Sequence, residues 1–296
     1  MRILLTGATG FIGAAFLREA TLAGHEVAAL VRPERVAALT GQASVRPLTG
    51  TLADAPWGDI TAFAPDVCVH TAWVTTPGSY LESPENELFL AWSQAFLRRA
   101  MDAGVAHLVT LGTCIEYAMT GTPLSETATP LAPVSPYAGA KDALRRWQDT
   151  KAAARGVRAA WARVFYPYGP GEHPTRLATS IVQRLRRGEP VTLKTAASVK
   201  DYLFISDLAT ALLTVVAGRF HGPVNLGTGE GVTVGALAGA IAGQLGRPDL
   251  LRVAEPGTPD PYAYVVADAA RLRALGWQPR VSLAQGVAQL LGHLPA

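Results

Sequence analysis

Three glycines near the start of the chain constrain its fold more than any other feature. Gly7, Gly10 and Gly13 follow directly on the apolar segment Arg2–Thr6. One such glycine permits a tight turn out of a strand, another lets backbone amides approach an anion, and the third lets the next helix pack closely on the sheet. The unpaired amides and partial positive charge at the start of that helix then face the anion. The segment therefore predicts a binding site for a pyrophosphate.

The segments around these glycines support this interpretation. Residues 11–22 carry apolar residues at helical spacing, Gly24 can end that helix, and residues 26–31 are typical of a second strand. Strand, turn, helix and strand follow each other within about thirty residues, the length of one βαβ unit. A turn without a ligand is the alternative, because such glycine spacings also arise by chance.

Strand and helix patterns alternate through the first half of the chain. Strands are predicted at residues 2–6, 26–31, 45–48, 66–71, 107–111 and 158–164, and helices at residues 11–22, 87–103 and 136–154. This alternation predicts a doubly wound, Rossmann-type α/β fold, in which helices cover both faces of a parallel sheet. Ligands bind such folds at the carboxyl ends of the strands.

From about residue 165 onward, loops with Pro and Gly separate shorter helices. These helices are predicted at residues 175–187, 206–217, 233–245, 268–274 and 282–292, with Ser206 and Ser282 as N-caps. We expect a dinucleotide-binding domain at residues 1–165 and a smaller substrate-binding lobe at residues 166–200 and 223–296. Residues 201–222 are expected to pack back on the first domain.

Composition and charge exclude several classes of protein. The 296 residues are 49% hydrophobic and carry a net charge of +3 from scattered arginines, without the basic stripe of a nucleic-acid-binding protein. Cys68 and Cys114 lie in apolar segments and the six histidines are dispersed, so neither a disulfide framework nor a metal site is predicted. We see no membrane-spanning run and no signal peptide, and we expect a cytoplasmic protein without membrane partners.

A tyrosine and a lysine four residues apart are the main candidates for chemistry. Tyr137 and Lys141 follow Ser135 at the start of a predicted helix, where this spacing places both on one face. A cation beside a phenol stabilises the phenolate, so we expect a lowered pKa for Tyr137 and proton exchange with a substrate oxygen. Thr113, at the end of a predicted strand, could hydrogen-bond that oxygen. The alternative is a core tyrosine beside a solvent-facing lysine, because the spacing alone is common.

The glycine turn, Thr113, Tyr137 and Lys141, in this order, resemble the extended short-chain dehydrogenase/reductase family of sugar-nucleotide epimerases, dehydratases and ketoreductases. Further similar segments are residues 69–72, 163–171, 200–207, 224–229 and 275–279. The resemblance implies hydride transfer between a nicotinamide and a sugar carbon while Tyr137 moves the proton on the attached oxygen. Lys141 would hold the nicotinamide ribose and Thr113 would orient the substrate oxygen.

The resemblance also implies two sets of ligand contacts. The expected cofactor-binding residues are Gly7, Gly10, Phe11, Ile12, Gly13, Arg32, Leu52, Thr71, Ala72, Tyr137 and Lys141. The expected substrate-binding residues are Thr113, Cys114, Tyr166 and Lys200. Tyr166 and Lys200 stand where the family has Asn and Arg, so contacts to a nucleotide diphosphate are expected to be rearranged. The arginines of the next helix, Arg176, Arg184, Arg186 and Arg187, could meet a diphosphate or form a solvated basic face.

The end of the second strand bears on the choice of cofactor. NAD-selective members of the family usually carry an Asp there, where this chain has Arg32. An arginine can pair with the 2′-phosphate of NADP, with Arg35 in support, which favours NADP over NAD. Surface arginines that close a loop are the alternative.

The residues after Thr113 bear on the reaction. Dehydratases of the family have an Asp-Glu pair there, whereas this chain has Cys114 and Ile115. We therefore expect an NADPH-dependent ketoreductase that acts on a 4-keto-6-deoxy sugar nucleotide. The alternatives are an NAD-dependent sugar-nucleotide 4-epimerase and a non-catalytic protein that senses NADP. The family commonly dimerises through helices that correspond to residues 87–103 and 136–154, so a homodimer is expected.

Overall fold

A parallel sheet of seven strands forms the centre of the computed structural model, which describes residues 1–39, 43–255 and 260–294. In chain order, the strands of the described ranges are β1 (Arg2–Thr6), β2 (Glu26–Val31), β3 (Val45–Thr49), β4 (Val67–His70), β5 (His107–Thr113), β6 (Arg158–Val164), β7 (Tyr166–Tyr168), β8 (Val191–Leu193), β9 (Val199–Lys200), β10 (Tyr202–Phe204), β11 (Gly222–Leu226), β12 (Val232–Thr233), β13 (Leu251–Val253) and β14 (Tyr264–Val265). The central sheet has the order β11-β6-β5-β4-β1-β2-β3, and all its pairs are parallel. This order, with its reversal at β1, confirms the predicted doubly wound fold.

Helices cover both faces of this sheet. The helices in the described ranges are α1 (Phe11–Leu22), α2 (Trp57–Phe63), α3 (Glu85–Asp102), α4 (Pro136–Ala153), α5 (Leu177–Arg186), α6 (Ile205–Ala217), α7 (Val234–Gln244), α8 (Ala270–Ala274) and α9 (Leu283–His293). Helix α1 packs against α6 in one apolar core, and α3 packs against α4 in a second core. Because a parallel sheet buries both faces, its strands are apolar almost throughout.

The predicted elements agree with the structure to within two residues at each end. The short helix α2, strand β11 and the short strands outside the central sheet were not predicted. Helix α2 has only seven residues and includes Gly58, while β11 opens with Gly222 and Pro223, which indicate a turn when read from sequence. Strand β11 pairs with β6 in the central sheet, although residues 223–226 were expected in the smaller lobe.

Three of the described α-helices have an N-cap side chain that follows the capping rules, and that of α7 is Thr233. The Ser135 hydroxyl accepts a hydrogen bond from the amide of Ala138 at 3.2 Å, and Ser282 caps α9 together with Gln285. The prediction of Ser206 as an N-cap was wrong, because α6 begins one residue earlier, at Ile205. The Phe204 side chain at the N-cap position makes no hydrogen bond, since it has no polar atom.

Short strand pairs after β6 bring distant segments together. Strand β7 pairs with β10, β9 lies between β12 and β14, and β8 pairs with β13.

Within the described ranges, no helix is long and apolar enough to cross a bilayer.

Candidate active site

The glycine turn after β1 leaves no room for side chains at two of its positions. Gly7 has a φ of +72°, and a Cβ there would lie 2.5 Å from Oγ1 of Thr71. A Cβ on Gly13 would lie 2.1 Å from the carbonyl oxygen of Gly7. Glycine is therefore required at both positions for the turn and helix α1 to pack against the end of β4.

The start of α1 fits the phosphates of a dinucleotide. Gly10 is its N-cap and supplies no side-chain acceptor to the amides of the first turn, which includes Phe11 and Ile12. Unpaired amides at a helix N-terminus form an anion site. Phe11 and Ile12 pack at the edge of the core between α1 and α6, which fixes the direction of the helix.

Polar side chains join the carboxyl ends of β1 and β4. The Thr71 hydroxyl donates a hydrogen bond to the carbonyl of Thr6 at 2.7 Å, and the amide of Ala72 donates to the Thr6 hydroxyl at 3.3 Å. His70 is buried between the hydroxyls of Thr6 and Ser93, at 2.9 Å from each. Burial and the charge of Lys141 lower the pKa of His70 to about 3, so the imidazole is neutral at physiological pH. The structure thus places Thr71 and Ala72 beside the glycine turn.

Thr113, Tyr137 and Lys141 meet at the end of β5. The Lys141 ammonium donates a hydrogen bond to the carbonyl of Leu111 at 2.8 Å and lies 6.0 Å from the centre of the Tyr137 ring. The Thr113 side chain lies near enough to the Tyr137 phenol to lower its pKa. Lys141 also lies 4.0 Å from the centre of the Trp73 ring, a cation–π contact. Lys141 does not face solvent, because only 2% of its surface is exposed.

The electrostatics of this pair differ from the expectation. Burial raises the pKa of Tyr137. The neighbouring Tyr80, Glu116 and Cys114 raise that pKa further, and the Thr113 side chain only partly offsets these effects. Burial also lowers the pKa of Lys141 to about 7, against the attraction of Glu116. The expectation of a lowered tyrosine pKa was therefore wrong, because the loss of hydration around the Tyr137 phenol raises that pKa.

Two expected cofactor contacts lie to one side of the glycine turn. The Arg32 guanidinium forms an ion pair with Glu34 at 3.2 Å, and both side chains are largely exposed. Arg35 lines a cavity of about 460 Å³ together with Thr9, at the tip of the glycine turn, and Arg18 of α1. Leu52 is half-buried and packs against the core on the α3 side. The structure thus brings Arg35, rather than Arg32, to the cavity wall.

Three of the expected substrate-binding residues, Cys114, Tyr166 and Lys200, lie near one another after the end of β5. Cys114 is buried, and burial raises its pKa to about 12. The Lys200 ammonium pairs with Asp260 at 3.2 Å, donates to the carbonyl of Tyr262, and lies 5.5 Å from the centre of the Tyr166 ring. The charge of Lys200 is therefore already balanced by a carboxylate.

The four arginines of the α5 region separate into different environments. Arg184 and Arg187 pair with Glu189, and Arg186 donates to the carbonyls of Leu291 and Leu294. Arg176, just before α5, instead lies 5.1 Å from the centre of the Tyr80 ring, which contacts the Tyr137 ring edge-on. Arg176 is thus the arginine of this group that faces the candidate site.

Sequence reasoning missed Trp73 and Tyr80, and it gave Glu116 no role, because Glu116 lies one position too late for the acid of a dehydratase. Trp73 and Tyr80 lie in the irregular segment between β4 and α3, which has no periodicity to analyse. Glu116 had a usable signal, because Thr113 and Glu116 match the spacing of a helix capping box. The structure contains that capping box around the 3-10 helix Cys114–Glu116. Among the described residues, no cluster of His, Cys, Asp and Glu could hold a metal ion.

The fold and these residues define a dinucleotide-dependent enzyme of the extended short-chain dehydrogenase/reductase type. The chain belongs to the NAD dependent epimerase/dehydratase family, whose model matches residues 3–227.

Three similar proteins illustrate the relationship. The UDP-glucose 4-epimerase of Mycolicibacterium smegmatis is 26% identical over 98% of this chain and 97% of its own length. A shorter match, 33% identical, to the putative GDP-L-fucose synthase 2 of Oryza sativa covers 42% of this chain and 38% of that protein. The crystal structure of the Thermus thermophilus UDP-glucose 4-epimerase with NAD is 27% identical, with a TM-score of 0.86 over 99% of this chain and 98% of that one.

Proposed function

We propose that the protein is an NADPH-dependent ketoreductase that acts on a 4-keto-6-deoxy sugar nucleotide. The observation that carries this proposal is the cavity of about 460 Å³ between α1 and the 3-10 helix Pro33–Leu39. Arg35 contributes positive charge to its wall, Arg18 contributes a guanidinium that pairs with Glu19 at 3.4 Å, and Thr9 contributes a hydroxyl. Guanidinium groups and a hydroxyl beside a dinucleotide turn suit the 2′-phosphate of NADP. Because a reductase consumes NADPH as a diffusing substrate, a preference for NADPH favours a net reduction of the sugar nucleotide.

The proposed chemistry assigns one task to each residue of the site. The nicotinamide, when bound, supplies the hydride to the keto carbon. Tyr137 gives its phenolic proton to the oxygen of that carbonyl, so that an alcohol results. Thr113 orients the same oxygen, and Lys141 holds the nicotinamide ribose. A phenol whose pKa is raised by burial stays protonated at neutral pH, as a proton donor requires.

The residues next to Thr113 argue against a dehydration. Cys114 and Ile115 are buried, and neither is an acid that could assist the loss of water at neutral pH. Glu116 is a carboxylate, but its oxygens already accept hydrogen bonds from Thr113, Trp161 and Arg163. It is therefore not free to exchange protons with a substrate.

A 4-epimerase that keeps NAD is the second candidate. It is favoured by the full-length similarity to UDP-glucose 4-epimerases, including one whose structure was solved with NAD. The ion pair of Arg32 with Glu34 also favours it, because an arginine that is already paired attracts a 2′-phosphate less strongly.

One assay distinguishes these functions. Purified protein is mixed with NADPH and a panel of 4-keto-6-deoxy sugar nucleotides, and the absorbance of the reduced nicotinamide is followed. Stoichiometric loss of NADPH supports the reductase. Conversion of a UDP-hexose by protein that copurifies with NAD, without net consumption of reduced nicotinamide, supports the epimerase. Tight binding of NADP without turnover of any substrate supports a sensor and would overturn the proposal.

We further propose that residues 166–200, 227–255 and 260–294 form the substrate side of the site. We also propose that the protein is a homodimer. Leu88 on α3 is about half exposed, and α3 packs beside α4, which leaves an apolar position on the outer face of this helix pair. Light scattering of the protein and of Leu88→Lys tests the dimer, which is expected to weaken in the variant.

A further inference from the structure

The Glu116 carboxylate lies directly behind Thr113 and is fully buried. Its oxygens accept hydrogen bonds from the Thr113 amide at 2.8 Å, from the Trp161 indole at 3.0 Å and from the Arg163 side chain at 2.8 Å. All three partners are donors, so the carboxylate form satisfies them. A buried charge with a full set of donors is rigidly placed, because any displacement leaves a donor unpaired.

The backbone is shaped to admit this carboxylate. A Cβ on Gly112 would lie 2.7 Å from the carboxylate of Glu116 and 2.2 Å from Nε1 of Trp161. The chain therefore has a glycine just where the carboxylate and the indole approach it. Arg163 extends the network, since it also donates to the Tyr117 phenol, which in turn donates to Asn225 of β11.

The last residues of β5 are held from two directions. Strand β4 ends opposite Thr110, so Leu111, Gly112 and Thr113 extend beyond it. Lys141 binds the carbonyl of Leu111, and Glu116 binds the amide of Thr113. The position of the Thr113 hydroxyl at the Tyr137 phenol therefore depends on both contacts.

We infer that Glu116 is a positioning residue of the catalytic site, which fixes Thr113 against Tyr137. The hydrogen bond from the Thr113 amide carries this inference. The Glu116 carboxylate also raises the pKa of Lys141, against the larger effect of burial. This inference rests on the proposed function. Glu116 does not touch the substrate in this scheme and acts through its neighbours.

The titratable and charged groups around Lys141 and Glu116 determine how the reaction rate depends on pH. Three titratable groups face Lys141. They are Glu116 in the turn after β5, His70 in β4, and Tyr137 in the same helix. Glu116 faces Arg163 from β6, Cys114 and Tyr117 from its own segment, and Tyr137 and Lys141 from α4. His70 is neutral at assay pH, so loss of the Glu116 charge removes the main attraction for the Lys141 proton.

The test compares Glu116→Gln with Glu126→Gln in the full chain. Glu126 is the matched control, because it is a half-buried carboxylate that also accepts a backbone amide, that of Asn225. In Glu116→Gln, kcat is expected to fall by about 10- to 100-fold, since Thr113 is misplaced, while the KM for the cofactor stays unchanged. The alkaline limb of the rate profile is expected to move to lower pH by about half a unit or more. Unchanged kcat and an unmoved limb, or the same changes in Glu126→Gln, would overturn the inference.

Two additions keep the test decisive. If Glu116→Gln does not fold, Trp161→Phe is used instead, because it removes one hydrogen-bond donor to the Glu116 carboxylate. This variant is expected to have a kcat several-fold lower than that of the parent. An unchanged kcat in Trp161→Phe also counts against the inference. The titration of Lys141 is measured in the absence of substrate, from the fluorescence of Trp73 as a function of pH. The Trp73 signal is obtained by subtracting the emission of the Trp73→Phe variant from that of the protein. Its midpoint is expected at lower pH when Glu116 is Gln. If the parent protein turns over no keto sugar nucleotide, the proposed function fails, whereas this titration still tests Glu116.

Discussion

The ammonium of Lys141 donates a hydrogen bond to the carbonyl oxygen of Leu111 at 2.8 Å. This contact joins helix α4 to the end of β5, and it takes the lysine almost completely out of water. The hydrogen bond and the Trp73 ring replace only part of the lost hydration. The pKa of Lys141 therefore falls to about 7, close to neutral pH.

We predict that Lys141 makes the stability of the protein rise between pH 7 and pH 10.5. Its pKa is about 7 in the folded chain and 10.5 in the unfolded chain, so the unfolded chain binds more protons between these values. The free energy of unfolding should then gain about 1.4 kcal/mol per pH unit from this group. Denaturant unfolding at several pH values should show a shallower rise in Lys141→Met. Equal slopes in the two proteins would show that the pKa of Lys141 is not lowered.

Replacing Tyr137 with Phe should abolish turnover and spare cofactor binding. The phenylalanine keeps the ring that contacts Tyr80 edge-on but has no proton to give, which should lower kcat by about 10²- to 10⁴-fold. Steady-state kinetics and a fluorescence titration with NADPH measure the two effects. Tyr264→Phe in β14 is the control, with activity close to that of the parent. Retained activity in Tyr137→Phe would remove the proton-transfer assignment.

The parts of the fold that repeat a strong pattern could be predicted from the sequence. The glycine turn, the alternation of strands and helices, and the Tyr137–Lys141 helix all depend on local spacing, and the structure has them within two residues. Strand β11 could not be predicted, because Gly222 and Pro223 belong to it only through pairing with β6. Its place in the sheet is a tertiary property.

The nearness of Tyr137 to Lys141 could be predicted from the sequence, but the pKa values of their side chains could not. The sequence places Tyr137 beside Lys141, but the pKa of each depends on how much water the fold removes. In the same way, Lys200 was expected near a diphosphate, and its pairing with Asp260 joins residues 60 positions apart. Such long-range pairings leave no periodic signal in a single sequence.

Arg35 should contribute more than Arg32 to a preference for NADPH. Arg35 lines the cavity beside Thr9, whereas Arg32 is paired with Glu34. A charge-assisted hydrogen bond is worth about 1.5–3 kcal/mol, so Arg35→Ser should raise the KM for NADPH by about 10- to 100-fold and leave NADH little changed. Arg32→Ser should have a smaller effect. A larger effect at Arg32, or none at either position, would contradict this assignment of the phosphate site.

Alanine should be tolerated at Gly139 and not at Gly112. A Cβ on Gly112 meets Nε1 of Trp161 at 2.2 Å, and relief of this overlap should cost about 1–3 kcal/mol of stability. Gly139 lies within α4, and a Cβ there would meet no described residue beyond its own helix turn within 4 Å, so alanine should add about 0.5–1 kcal/mol. Thermal unfolding of the two variants checks the opposite signs. A Gly112→Ala protein as stable as its parent would show that the Trp161 side chain can move aside at little cost.

Asp260→Asn should strengthen the binding of a substrate diphosphate. Lys200 is 6% exposed and pairs with Asp260 at 3.2 Å, so part of its field is cancelled within the protein. Asparagine keeps the shape of the side chain and removes the charge, and a lysine without its counter-ion attracts an anion more strongly. The KM for a sugar nucleotide should fall about 3- to 10-fold with little change in kcat, an effect that shrinks as salt screens the charge. Asp249→Asn, in an exposed pair with Arg247, is the control and should leave the KM unchanged. An unchanged KM in Asp260→Asn would mean that Lys200 does not face the diphosphate and that its pair with Asp260 serves only to hold β9 beside the segment that follows residue 260.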